Sequence, residues 1–184
     1  MLNKINIWQT QSHNYVNGHG CRFVIWVQGC HLACPECWSK HTWSFYKQRW
    51  LEVDKVFDEI VDTKNIEGVT FSGGEPFVQA KSLYYLAKRI KDELGLNLQI
   101  FTGYELTELT NKYQTLLLEL ADVIVSGRFD NSKFNNNQKV HNLQNIKWNF
   151  NNTDVEVEVD NKGNVVITGY PTNQLVNDIR GLVQ

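Results

Sequence analysis

The sequence predicts an α/β fold: a single-domain, incomplete βα barrel with a mostly parallel sheet, followed by a C-terminal β-hairpin and a short helix. Three observations carry this expectation. β-rich apolar runs alternate with stretches of helical periodicity between residues 21 and 125. The right-handed crossover rule makes successive βα units curve the same way, toward an open or closed barrel. The chain has 184 residues, short of the ~250 that a closed eight-stranded barrel usually takes.

The elements follow in order. Cys21–Gln28 (CRFVIWVQ) is continuous enough in apolar residues to be a buried strand, and it runs into the loop Gly29–Trp38. Leu51, Val53, Val56, Phe57, Ile60 and Val61 then recur at helical spacing, with acids opposite. Val69-Thr70-Phe71 is a short strand that empties into Ser72-Gly73-Gly74-Glu75-Pro76. A helix fits Lys81–Leu94, with Gly95 as its stop, and a third strand fits Leu96–Thr102, ending at Gly103. Helical pattern returns from Leu106 to Leu120 with a break near Asn111. Ala121–Val125 is the fourth strand, ending at Ser126-Gly127-Arg128. Four full βα units are expected.

Residues 131–152 are rich in Asn (Asn135, Asn136, Asn137, Asn142, Asn145, Asn149, Asn151, Asn152) and read as loop. Val155, Val157 and Val159 alternate with Glu156, Glu158 and Asp160. Asn161-Lys162-Gly163-Asn164 supplies turn chemistry and Val165–Tyr170 the return strand. Pro171 ends that hairpin, and Thr172 caps a helix running to Val183. Residues 14–143 are therefore expected to hold the core units, and 144–184 to extend the same domain.

Composition narrows the class. Hydrophobic residues make up 42% and aromatics 12%, enough for a core and unlike a disordered chain. No run approaches the ~18 apolar residues of a membrane helix. The N-terminus lacks the apolar core of a signal peptide, so a cytoplasmic location is expected. A net charge of −2 gives no footprint for nucleic acid. That total conceals an asymmetry: residues 1–50 carry Lys4, Arg22, Lys40, Lys47 and Arg49 against Glu36 alone, a front segment of +4. It could dock an acidic partner, although solvated surface charge is the plainer account.

All four cysteines fall within seventeen residues of that segment. A structural disulfide framework would spread them. Cys30, Cys34 and Cys37 have C-x3-C-x2-C spacing, which lets three thiolates on one loop reach a single metal centre. Structural zinc sites and ordinary ferredoxin clusters both want four protein ligands. Three cysteines leave one iron of a four-iron cluster open to substrate. Zinc held with His31 or His41 is the competing reading. Cys21 lies nine residues upstream and reads better as a small buried hydrophobe than as a ligand. Trp26, Trp38 and Trp43 would pack in the core or shield a redox centre.

Read together, C-x3-C-x2-C after the first strand and Gly-Gly-Glu-Pro after the second resemble the radical S-adenosylmethionine (SAM) superfamily. Within it, Asn17–Arg22 followed by Gln28-Gly29-Cys30 resembles the glycyl-radical-enzyme activases. Val69–Pro76, Phe101–Tyr104, Asp122–Phe129 and Asn137–Val140 are similar to the activase branch of anaerobic ribonucleotide reductase. Residues 14–143 carry the likeness. The chain departs from that branch at Glu36, Trp38, Ser126 and Arg128, and in its C-terminal hairpin and helix.

The resemblance implies a [4Fe-4S] cluster on Cys30, Cys34 and Cys37, with SAM on the fourth iron. It places SAM against Gly73, Gly74 and Glu75, then Thr102 and Gly103, with Glu36, Ser126 and Arg128 as further cofactor contacts. Reductive cleavage of SAM would give a 5′-deoxyadenosyl radical that abstracts hydrogen from a backbone glycine of a glycyl radical enzyme, such as anaerobic ribonucleoside-triphosphate reductase. A flavodoxin- or ferredoxin-type donor would supply the electron. Two alternatives stay open at this point: a stand-alone radical SAM enzyme acting on a peptide or small metabolite, and a non-catalytic zinc or iron–sulfur module.

Overall fold

The computed structural model describes residues 4–46, 49–130, 132–133, 137–147, 154–159, 161–163 and 165–182. It opens with a strand that the apolar pattern does not announce. This is β1, Lys4–Asn14, which buries Ile5 and Ile7 but also the polar Asn6 and Asn14. Then come β2 (Arg22–Val27), a three-residue β3 (Trp50–Glu52) and α1 (Val53–Asp62). β4 spans Gly68–Gly73 and α2 Ala80–Arg89, prolonged by a wider helical turn over Ile90–Leu94. Gly95 stops it at φ +64°, the left-handed conformation that a helix C-cap wants. β5 is Asn97–Thr102 and α3 is Lys112–Leu120. The break near Asn111 has a cause: Asn111 accepts from the Gln114 amide at 3.1 Å and caps α3.

β6 (Val123–Ser126) is followed by β7 (Lys139–Asn142), which lies inside the Asn-rich stretch expected to be loop. Asn137 and Asn145 flank it at φ +65° and +49°, so the asparagines there form turns around a strand. Among the described residues the fourth unit thus has no helix: β6 is continued by an antiparallel neighbour. The C-terminal hairpin consists of β8 (Val155–Val159) and β9 (Val165–Gly169), followed by α4 (Asn173–Leu182). Thr172 Oγ1 accepts from the Leu175 amide at 3.2 Å, the expected cap. Lys47, Asn131, Asn135, Asn136, Asn149, Asn151, Asn152, Asp160, Asn164 and Val183, named above, lie outside the described residues.

The main sheet runs β3-β1-β2-β4-β5-β6-β7. Its four central strands β2, β4, β5 and β6 are parallel, and β1, β3 and β7 add antiparallel edges. This is a mixed α/β domain with a mostly parallel central sheet. Parallel neighbours follow one another in sequence, so right-handed crossovers put α1, α2 and α3 on one face. Register aligns Ile25, Phe71, Ile100 and Ile124 in a row across the strands. That row is fully buried and packs with Val56, Ile60, Leu83, Leu86 and Leu117 of the helices. Period-two alternation turns Trp26, Ser72 and Phe101 to the other face, where they line a cavity. No helix among the described residues is long and apolar enough to cross a membrane.

One basic residue of the front segment has left the surface. Arg22 is 1% exposed, and its guanidinium donates to Thr70 Oγ1 (2.6 Å), Val69 O (2.8 Å), Asn97 Oδ1 (2.8 Å) and His19 O (2.9 Å). It fastens the residue 17–20 turn to the starts of β4 and β5. Burial pulls its pKa down to about 10, which still leaves it charged.

Candidate functional site

The loops at the carboxyl ends of the parallel strands meet around one cavity of about 1140 Å³. This exceeds the roughly 300–1,000 Å³ of ordinary small-ligand sites. Cys30, Cys34 and Cys37 line it, together with Gly73–Glu75 and Thr102–Gly103. All four cysteines are free thiols. Glu36, Ser126 and Arg128 do not line it. Glu36 is exposed, whereas Ser126 is buried and shares a 2.9 Å hydrogen bond with His141 Nε2. Arg128 donates to the Gly103 carbonyl and pairs with Glu108 at 2.9 Å, bracing the turn after β5.

Backbone contacts seat the cysteine loop. The Gly29 amide donates to Thr42 O (2.7 Å) and that of Cys30 to Trp43 O (3.1 Å). The glycine-rich loop lies directly against it: Gly74 N donates to Val27 O (2.8 Å) and Glu75 N to Gly29 O (2.9 Å). A Cβ on Gly74 would sit 2.5 Å from the Gly29 oxygen, and Gly73 holds φ +96°. The two glycines therefore serve a close approach of two backbones. The third loop closes the ring. Gly103 leaves room for Leu32, and the Tyr104 hydroxyl shares a 2.8 Å hydrogen bond with His31 Nε2.

Glu75 is 1% exposed and its carboxylate accepts from Phe77 N (2.9 Å), Thr102 Oγ1 (2.8 Å) and Gly103 N (2.9 Å). One side chain thus ties the β4 loop to the β5 loop. Burial nonetheless outweighs those donors and pushes its pKa up to about 7. Burial also raises the Cys30 thiol, and Glu75, Cys37 and Cys34 add to this through their negative charge. A cationic centre bound among the three sulfurs would offset that cost, because a metal takes Cys30 as the thiolate.

A four-iron cluster can be tested against this geometry. Among the described residues, no three His, Cys, Asp or Glu side chains gather as closely as a single metal ion requires. A cluster asks for less convergence, because each thiolate takes its own iron. The histidines proposed for zinc are engaged elsewhere: His31 with Tyr104, and His41 against Trp8 at 4.8 Å between centroids. Trp26, Trp38 and Trp43 line the same cavity and supply an apolar surround. The donor set fits the cluster. The apolar pattern gave no signal for Trp8 and Gln9 of β1 as lining residues, because that strand's polar sequence hid it.

A family model described as a 4Fe-4S single cluster domain matches residues 16–147. Fold, site and match together define a radical SAM enzyme, with an iron–sulfur cluster and SAM as its cofactors. This sets aside the non-catalytic module. Two relatives narrow the class, both named anaerobic ribonucleoside-triphosphate reductase-activating protein. The one from Escherichia coli (strain K12) is 32% identical over 155 residues, covering 76% of this chain and 100% of the relative. The one from Salmonella typhimurium is 33% identical over 147 residues, covering 70% and 93%. The chain belongs to this family of activating proteins. Among solved structures, QueE from Escherichia coli overlaps 67% of this chain and 70% of its own, with a TM-score of 0.42 and 19% identity.

Proposed function

We propose that this chain activates an anaerobic ribonucleoside-triphosphate reductase by abstracting hydrogen from one of its backbone glycines. The observation that carries the reading is that one cavity gathers three thiols, the Gly73–Glu75 loop and the Thr102–Gly103 turn, in a chain aligned to the full length of the E. coli activating protein. In this reading Cys30, Cys34 and Cys37 hold the cluster, and a flavodoxin- or ferredoxin-type protein delivers the electron. When bound, cluster and SAM together supply the 5′-deoxyadenosyl radical.

The chain's own residues orient and exclude. Gly29 and Gly74 hold the cysteine loop against the glycine-rich loop, so ligands and SAM share one frame. Glu75, fixed by Thr102 and Gly103, keeps the Gly73–Gly74 backbone facing the cavity. The tryptophans keep water from a reactive centre. Ser126 and Arg128 would act on the cofactor only through the loops they brace, and Glu36, exposed outside the cavity, would not touch it. Four parallel strands make an incomplete barrel, whose missing side leaves room for a polypeptide loop. The domain, 1–184, works in the cytoplasm, without a nucleic acid or a membrane.

One feature favours a second reading, a stand-alone enzyme modifying a peptide or small metabolite: the hairpin and α4 line the cavity and lie beyond the family match. Anaerobic reconstitution followed by mixing with the candidate reductase separates the two. About four irons per chain, 5′-deoxyadenosine under strong reductant, and a glycyl radical by electron paramagnetic resonance are expected. Ala at Cys30, Cys34 or Cys37 abolishes all three, and Cys21→Ala retains them. SAM cleavage with no glycyl radical on the reductase overturns the activase reading.

A further inference from the structure

Residues 155–182 form a unit with an unusual position. The hairpin is a two-stranded sheet of its own, unconnected to the seven-stranded one. No described residue of β8, β9 or α4 belongs to the hydrophobic core cluster. A lone two-stranded hairpin is marginally stable in water, so this one depends on what it rests upon. It rests over the helix-free face of the main sheet. Val166, Thr168 and Tyr170 of the return strand, with Val176 and Ile179 of α4, line the cavity that Cys30, Cys34, Cys37 and Gly74 also line.

What holds it there is polar. Asn14, fully buried at the end of β1, donates through Nδ2 to Glu156 Oε2 (2.5 Å) and Thr168 Oγ1 (3.0 Å). The same amide's Oδ1 accepts from Val16 N and Asn17 N, so Asn14 is fixed from the core side. On the outside, Val157 is 43% and Val159 65% exposed, which means that the hairpin buries one face only. These hydrogen bonds are worth about 1 kcal/mol each, and the half-buried side chains of β9 lie outside the core cluster, so the unit can lift away without disturbing the core.

We propose that β8–β9–α4 is a built-in cover of the SAM cavity, closing over the bound cofactor and swinging aside for a polypeptide substrate. The inference rests on the reading of this cavity as the SAM site. The cover lines, from the helix-free face of the sheet, the same cavity as the thiols and the glycine loop. Closed, it shields the centre from water; open, it gives the lateral access that the activase reaction needs. The family model ends at residue 147, so this cover is a property of this chain rather than of the matched domain.

Hydrogen exchange on the reconstituted full-length protein tests it. With SAM added, amides of residues 155–159 and 165–169 are expected to exchange at least 10-fold more slowly, while those of α1 stay unchanged. In the double variant Glu156→Leu/Thr168→Val, which removes the latch from the hairpin side, SAM affinity should fall about 10-fold at unchanged iron content. Hairpin exchange that SAM leaves unchanged overturns the cover, whatever the variant does. Full-length holoprotein that holds iron but binds no SAM overturns instead the reading of the cavity, and the two failures are told apart by the same titration.

Discussion

Gly74→Ala tests the central claim about the site, that two loops touch backbone to backbone. The new Cβ would lie 2.5 Å from Gly29 O, 2.9 Å from its carbonyl carbon and 3.0 Å from its nitrogen, where ordinary contacts begin at 3.4 Å. None of these atoms is a side chain that could rotate away. The loops must part by about 1 Å to restore van der Waals distance. The Glu75 N to Gly29 O hydrogen bond, now 2.9 Å, would then stretch past the limit of a real one. Overpacking costs about 1–3 kcal/mol and the lost bond about 1, so urea unfolding should show a loss of about 2–4 kcal/mol. Cys30 follows Gly29 directly, so its sulfur moves with the loop. A displacement of about 1 Å is enough to cost ~100-fold in rate. Iron per chain after anaerobic reconstitution and 5′-deoxyadenosine formation are the assays. A variant within 0.5 kcal/mol of the parent that retains full iron and full SAM cleavage would refute the contact and the argument built on it.

Two further outcomes follow from buried charge. Glu75, with its pKa raised from 4.5 to about 7 by burial, binds its proton more tightly in the folded than in the unfolded chain. Its stabilising contribution is complete below about pH 4.5 and lost as pH rises through about 7, a swing of about 3 kcal/mol. Cluster-free protein should lose that much stability between pH 4.5 and 8 relative to Glu75→Gln; parallel pH profiles would contradict it. Arg22→Met leaves four acceptors in the protein interior without their donor, and should cost about 3–5 kcal/mol in urea unfolding. The fraction that folds should take up iron normally, because Arg22 begins β2 and the cysteine loop follows its other end.

The sequence revealed what is periodic or rare. β2, β4, β5 and β6 stand out as apolar runs because both faces of a central parallel strand are covered. The Cys30–Cys37 loop, Gly73–Pro76 and Thr102–Tyr104 stand out as unusual local sequences at strand ends, and the structure brings them to one cavity. β1 escaped because its burial is polar: Asn6 is 3% exposed and is satisfied by Gln79 and by the Arg49 amide. β3 is too short to register a period, and β7 is hidden among asparagines. The inward turn of Arg22 could not be read either, since its acceptors come from residues as far away as Asn97. The same holds for Gly29 against Gly74, a contact across 45 positions with no local signal.

The strand order has a consequence for how the molecule is made. β3 returns to pair with β1 and β4 with β2, and from β5 to β7 each strand pairs with the one synthesised just before it, so beyond β4 the sheet can lengthen one strand at a time as the chain emerges. By Asn142 the sheet, its helices and all three loops of the cavity are in hand. Residues 155–182, which roof that cavity, come last. A cofactor inserted during translation would meet an uncovered site, and the cover would settle over it afterwards.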